Sequence, residues 1–274
     1  MRRSLLLCML LAAAPLATFA QATAPAPLSG KLLFSGSSTL APVVEDLAKR
    51  FRIQHPGVAI IVEKGGSGRG VADAIAGKSD IGMASRELHA DERALFAIPI
   101  GRDGVVFVVH KDNPVRGLTR AQALDLFTGK IINWKPLRGR DAPIEVVTRA
   151  PGRSSVEIIT HYLGITPEAI KAAHVIGDND DVVRLVAANR NAIAFLSVGA
   201  ADRAEEHLSI KALALDGIAP GVGSVRDGTW PLSRPLHLLT RRVPAGVAKA
   251  FIEFAISPGA HPVLLEHDFV PYAN

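Results

Sequence analysis

The chain has a single cysteine, Cys8, in 274 residues. No disulfide can form within one molecule, so a stapled small scaffold is excluded. The nine histidines include no His-Glu-x-x-His, and no Cys/His cluster has zinc spacing. Asp178, Asp180 and Asp181 lack the glycine and terminal glutamate of a calcium loop, and read instead as a capped helix start. No metal and no cofactor is expected. Aromatics are scarce, at 5%, and 31 basic side chains nearly balance 26 acidic ones. That composition excludes the dense basic, aromatic face of a nucleic-acid-binding protein. Catalytic motifs are missing too. Around Ser67 a nucleophile elbow would need glycine at position 69, where Arg69 stands. Gly77-Lys78-Ser79 lacks the earlier glycine of a phosphate-binding P-loop, its place being taken by Ala72. No nucleophile–base pair is visible, so an enzyme is not expected.

A long hydrophobic run is likewise absent. The apolar stretch from Leu5 to Ala17 falls short of the ~20 residues of a membrane span. Arg2 and Arg3 precede it and Ala20-Gln21-Ala22 follows, so residues 1–22 read as a cleaved secretory signal peptide. Cys8 lies inside this stretch rather than at its end, which argues against a lipid-anchored cysteine. The expected location is the periplasm. Without Arg2 and Arg3, 29 basic side chains face 26 acidic ones, a net charge of +3. Residues 23–30, rich in alanine and proline, read as a disordered leader.

What is present is an alternation of short apolar runs and helical patterns. Strands are predicted at Lys31–Ser35, Val58–Val62, Asp80–Met83, Ala97–Ile100, Val105–His110, Ile144–Thr148, Ala192–Leu196 and Leu236–Thr240. Helices are predicted at Ala41–Gln54, Gly70–Gly77, Arg120–Phe127, Ser154–Leu163, Asp180–Ala188, Ala245–Ala255 and His261–His267. This pattern predicts an α/β fold with mainly parallel sheets. Two breaks in texture, one at Asn113-Pro114 and one at Trp230–Pro235, suggest two chain crossings between lobes. One lobe would hold residues 31–109 and 235–274, the other residues 110–234.

Loops at strand-to-helix junctions share one chemistry. Gly36-Ser37-Ser38-Thr39 precedes Pro42, which suits the first turn of a helix. Gly65-Gly66-Ser67-Gly68-Arg69-Gly70 lets the backbone approach a ligand and form a nest of N–H groups. Ala84-Ser85-Arg86 ends a strand with a guanidinium suited to phosphate or carboxylate, or to a salt bridge with Glu87. Arg149-Ala150-Pro151-Gly152-Arg153-Ser154-Ser155 brings two arginines and two hydroxyls to a helix start. Each loop alone reads equally well as a helix cap or an exposed turn. Together they supply donors and cations and no general base, which is the chemistry of an oxyanion site.

With these residues in view, the chain resembles the PstS-like group of periplasmic binding proteins, the phosphate-binding components of bacterial phosphate ABC transporters. The likeness runs from Lys31 to Tyr272. It is carried by the Gly36, Gly65 and Asp80–Arg86 segments, by Phe127-Thr128-Gly129-Lys130-Ile131-Ile132-Asn133-Trp134, and by Asp227-Gly228-Thr229-Trp230-Pro231-Leu232-Ser233-Arg234-Pro235. It implies a two-lobed type II periplasmic binding protein fold, with hinge strands and an interlobe cleft. It also implies capture of inorganic phosphate or a related tetrahedral oxyanion, delivery to an ABC transporter permease, and a monomer. The implied ligand residues are Ser38, Thr39, Ser67, Arg86 and Arg149. The family's Arg-x-x-Gly-Ser-Gly-Thr is here Arg149-x-x-Gly152-Arg153-Ser154-Ser155. Arg153, Ser154 and Ser155 are therefore also candidates, with Arg153 free to face the cleft or to turn away. This altered loop motivates an alternative, a secreted sensor or accessory protein with altered specificity and no transport role.

Overall fold

A computed structural model describes residues 27–272. The signal peptide, Cys8 and residues 23–26 of the leader lie outside the described residues. The leader ends earlier than predicted, because residues from Ser29 onward already pair with a neighbouring strand, Ser29 opposite Gly57.

The strands are β1 Ser29–Gly36, β2 Gly57–Lys64, β3 Ile81–Ala84, β4 Phe96–His110, β5 Gly117–Leu118, β6 Glu145–Arg149, β7 His174–Ile176, β8 Ala192–Ser197, β9 Ile210–Ala212, β10 Ala214–Leu215, β11 Ser233–Thr240 and β12 Val270–Pro271. The helices are α1 Ala41–Gln54, α2 Ser67–Ala76, α3 Arg120–Phe127, α4 Ser154–Leu163, α5 Asn179–Ala188, α6 Val198–Glu205, α7 Val222–Arg226, α8 Gly246–Ala255 and α9 His261–Glu266. The main sheet runs β2-β1-β3-β11-β4-β8-β6-β7, with β9 and β12 also on β4. Its flanks are parallel, as predicted: β1 with β2 and β3, and β6 with β7 and β8. Its centre is not. The long strand β4 pairs antiparallel with β11, β8, β9 and β12. The two apolar segments 97–100 and 105–110 are thus one continuous strand, bridged by Gly101-Arg102-Asp103-Gly104.

Helix placement follows local rules. Val43, Val44, Leu47, Ala48 and Phe51 form the buried stripe of α1. Thr119 and Gln122 form a capping box that starts α3. Helix α2 begins three residues before its predicted start, at Ser67. Helices α6 and α7 carry no long apolar period and were not predicted. No helix among the described residues is long and apolar enough to cross a membrane.

Two large cores sit on either side of the cleft. Phe34, Phe51, Ile81, Leu236, Leu238 and Phe251 belong to one, with the Phe34 and Phe251 rings 4.9 Å apart. Phe107, Phe127, Trp134, Val182, Phe195 and Trp230 belong to the other, where Phe127 touches both Phe107 and Phe195. Along β4, Ile100 packs in the first core and Val105 in the second. Before β11, Leu232 packs in the second core, whereas Leu236 packs in the first. At the two ends of the Phe127–Trp134 segment, Phe127 and Trp134 are buried in the second core, and Trp134 Nε1–H donates to the Asn191 carbonyl.

Candidate functional site

Four loops meet in one small cavity between the two cores. It is lined by Ser37, Ser38, Thr39, Gly66, Ser67, Ser85, Arg149, Arg153, Ser154, Ser155, Asn179 and Arg234. Seven of the eight residues singled out in the sequence are brought together here: Ser38, Thr39, Ser67, Arg149, Arg153, Ser154 and Ser155. Arg86 is not.

The elements explain the convergence. β1, β2 and β6 each hand the chain to a helix at the cavity, and α1, α2, α4 and α5 all begin there. The first residues of α2, α4 and α5 have no side-chain cap. Their N–H groups and dipoles favour negative charge in front of them. At α1, Ser37 is the hydroxyl that serves the backbone, its Oγ accepting from Thr39 N at 3.2 Å and Leu40 N at 3.3 Å. The hydroxyls of Ser38 and Thr39 are thereby left to the cavity. Gly36, φ +129°, allows this turn to sit against β3 and α2, since a Cβ there would lie 2.4 Å from the Met83 carbonyl oxygen.

Hydroxyls form a buried chain across the cleft. Ser37 Oγ donates to Ser85 Oγ at 3.0 Å, and Ser85 Oγ lies 2.8 Å from Ser154 Oγ. Ser67 Oγ accepts from Ser85 N at 3.0 Å. Each hydroxyl can turn its proton toward an acceptor placed between them.

Three guanidiniums complete the lining. Arg234 donates through Nε and Nη2 to Asp103 Oδ2, at 3.0 and 2.6 Å, through Nη1 to Ser154 Oγ at 3.1 Å and through Nη2 to Thr39 Oγ1 at 3.0 Å. Arg153 points into the cleft, its Nη1 donating to Ser38 Oγ at 3.1 Å and to Asp178 Oδ1 at 2.6 Å. Asp178, predicted as a helix cap, gives no side-chain cap and serves as the counterion of Arg153. Arg149 has no carboxylate on its guanidinium among the described residues. It donates only to neutral oxygens: Asn179 Oδ1 at 2.9 Å, the Phe195 carbonyl at 3.4 Å and the Gly177 carbonyl at 2.7 Å. Its Nε is buried and without a partner among the described residues. Burial, followed by the charges of Arg153 and Arg234, pushes Arg149 down to about 10. The lining thus holds three cations against two bonded carboxylates, with no acidic side chain in the cavity wall itself.

Size restricts what can fit. About 10 Å³ is open to the centre of a water-sized sphere, close to the roughly 10–15 Å³ that admits one water. An extended organic solute does not fit this space. No group of three or more metal-ligating side chains gathers among the described residues.

Arg86 follows Ser85 just beyond the end of β3, and the two side chains go to different places. Ser85 faces the cavity. Arg86 turns to Glu92, with Nη1 and Nη2 at 2.6 and 2.8 Å from its two oxygens, and to Glu157, at 2.8 Å from Nε. Burial works against this guanidinium, but the carboxylates of Glu92 and Glu157 outweigh it and hold Arg86 above its usual value. The predicted partner Glu87 offers only its backbone carbonyl, at 2.8 Å. Arg234, Asn179 and Ser85 were not singled out. Arg234 lies in the proline-rich stretch that reads as a joint, and only the pairing of Arg234 with Asp103 in the β4–β11 register brings it to the cavity.

The lobes also touch at Gly66. Its φ is +91°, and a Cβ on it would lie 2.6 Å from the Gly152 carbonyl oxygen and 2.9 Å from Arg153 Cδ. The same Gly152 carbonyl accepts from Gly68 N at 3.1 Å. Gly66→Ala adds a methyl group to a conformation that costs non-glycine residues about 1–3 kcal/mol and wedges the cleft. The expected result is a folded protein whose affinity for a small oxyanion falls at least ~10-fold, because the closed form is less populated. Calorimetric titration beside a circular dichroism melt checks it.

A family model for the PBP superfamily domain matches residues 21–258. The phosphate-binding protein PstS of Bacillus subtilis is 28% identical over 254 residues, 90% of this chain and 82% of that protein. A Clostridium perfringens protein described as a phosphate ABC transporter substrate-binding protein, solved with bound phosphate, is 31% identical with a TM-score of 0.82. The alignment covers 89% of this chain and 100% of that one. An ABC-type phosphate transport receptor from Vibrio cholerae is 30% identical with a TM-score of 0.72, covering 88% and 100%. A match that starts before β1, ends beyond α8 and takes in every loop of the cavity shows that the chain belongs to the PBP superfamily, among its PstS-like substrate-binding proteins.

Proposed function

We propose that this protein captures inorganic phosphate, or a related tetrahedral oxyanion, between its two lobes and delivers it to the permease of an ABC transporter. The observation that carries the reading is Arg149: a buried guanidinium bonded only to neutral oxygens, beside two further arginines, uncapped helix starts and a chain of hydroxyls. An isolated charge in that position is costly unless an anion joins it. The relatives named above, with their phosphate ligand and transporter role, favour the same reading.

In this reading Ser38, Thr39, Ser67, Arg149, Arg153, Ser154 and Ser155 hold the oxyanion, with Ser85, Asn179 and Arg234 in addition. Arg86 has no contact with it. The lobes divide at 101–104 within β4 and at 233–235, where the two cores separate, rather than at residue 110. Closure clamps the ligand by charge-assisted hydrogen bonds from both lobes. No step of chemistry is involved. The mature chain, freed of residues 1–22, acts in the periplasm as a monomer.

Calorimetric titration of the phosphate-stripped mature protein tests this directly. The expected result is one exothermic site for phosphate per chain. No heat with phosphate, arsenate or sulfate would overturn the proposal.

A further inference from the structure

Arg86 and Glu157 join the two sides of the cleft outside the anion cavity. Arg86 directly follows Ser85, and Glu157 lies one turn into α4 after Ser154. Their ion pair, at 2.8 Å, therefore runs alongside the Ser85–Ser154 contact, also at 2.8 Å. The flanking residues pack in different cores: Ala84 and Leu95 in a small cluster with Val71 and Leu239, Val156 and Ile159 in the Phe107 core.

The two partners are not equivalent. Arg86 is a fixed post, only 5% exposed. Glu92 grips it with both carboxylate oxygens, the Glu87 carbonyl accepts from its Nη1, and its own carbonyl lies 3.2 Å from His237 Nδ1. Glu92 is fixed in turn by accepting from His89 N at 2.9 Å. Glu157 is the less firmly held partner, its Oε2 in ion-pair range of Arg86 Nε without a hydrogen bond among the described residues. Its side chain is a third exposed, and its remaining neighbour is His89, with Nε2 at 3.2 Å.

A carboxylate one turn from an anion cavity is at first sight misplaced. Two carboxylates, Glu92 and Glu157, share one arginine here, so they outnumber the guanidinium they flank. Coulomb's law says that such charge repels the ligand. We propose that Glu157 is a positioning residue for anion capture: by pairing with Arg86 it latches the N-terminus of α4 against the end of β3, and so brings Ser154 and Ser155 to the ligand. The proposal rests on the anion-capture reading above.

The two opposing effects give Glu157→Gln a diagnostic sign. As a latch, its loss weakens phosphate binding about tenfold by lowering the closed population. The change should appear mostly in a faster dissociation rate, and the phosphate-to-arsenate affinity ratio should stay unchanged. As a mere source of repulsion, its loss tightens binding. Unchanged or tighter binding by Glu157→Gln, measured by calorimetry and stopped-flow dissociation on the mature protein, overturns the latch. A second variant closes the cycle. Once Arg86→Gln is in place, adding Glu157→Gln should cause no further loss, and a full additional loss also overturns it. Should Arg86→Gln fail to fold, Glu157→Gln carries the test alone. If the parent protein itself binds no phosphate, the anion reading fails separately. The latch is then read by small-angle scattering without ligand, where Glu157→Gln should have a larger radius of gyration than the parent and an equal radius rejects the idea.

Discussion

Replacing Arg149 by methionine is expected to weaken phosphate binding at least ~100-fold while leaving the protein folded. A guanidinium has five N–H donors. Three of them go to Asn179 Oδ1 and to the Phe195 and Gly177 carbonyls. Nε–H and one Nη2–H remain, on adjacent nitrogens, and can grip two oxygens of one oxyanion. Charged hydrogen bonds contribute about 1.5–3 kcal/mol each, so losing two costs about 3–6 kcal/mol of binding. The effect on the ligand-free fold is smaller because two terms oppose each other. Arg149 is pushed down from its usual value to about 10. That shift corresponds to roughly 3 kcal/mol against folding. Its sign follows from the charge: a cation lowered on folding opposes folding at every pH below about 10, and the penalty fades only as the pH rises toward the unfolded value. Methionine removes this penalty and leaves three oxygens without their donor, a loss of comparable size. The ligand-free melting temperature should therefore stay within about 2 kcal/mol of the parent, roughly 4–8 °C. The shift produced by phosphate, about 4 kcal/mol at a thousandfold excess over Kd, should disappear. A variant that binds like the parent removes Arg149 from the site.

How far the site is legible in the sequence depends on how local each placement is. Helices α1, α3 and α4 have the bounds predicted for them, because periodicity and helix-start residues lie within the segment itself. The loops at Ser38, Ser67 and Arg149 are equally local, since each links a strand to the helix that follows. Arg86 is misread because its partners, Glu92 and Glu157, lie outside its own segment. Just past β3 Ser85 faces the cavity, whereas the Arg86 guanidinium pairs with Glu92 and Glu157. Ser37 and Ser38 are told apart only by backbone geometry, which gives the capping role to Ser37. Arg234 was beyond reach. Its segment carries the family likeness, but its place at the cavity depends on pairing with Asp103 across 131 positions.

That pairing leads to the second large effect. Asp103→Asn is expected to destabilise the ligand-free protein by about 3–5 kcal/mol, or roughly 6–20 °C of melting temperature. Asp103 and Arg234 face each other where β4 and β11 cross between the cores, with side chains 0% and 2% exposed. Burial raises the Asp103 carboxyl, whereas Arg234 and the N–H groups of Gly104 and Gly199 pull it back toward the charged form. Asparagine keeps the shape and removes the charge. Arg234 is then a buried cation without a counterion, beside Arg149 and Arg153. Phosphate supplies the missing charge. Its stabilising shift should therefore be larger in Asp103→Asn than in the parent at the same ligand excess, although the variant starts from a lower melting temperature. An equal or smaller shift would mean that Arg234 braces the crossing strands without meeting the ligand. The comparison works because a strut and an anion ligand lose the same stability when Asp103 is neutralised, and only the ligand regains it from phosphate.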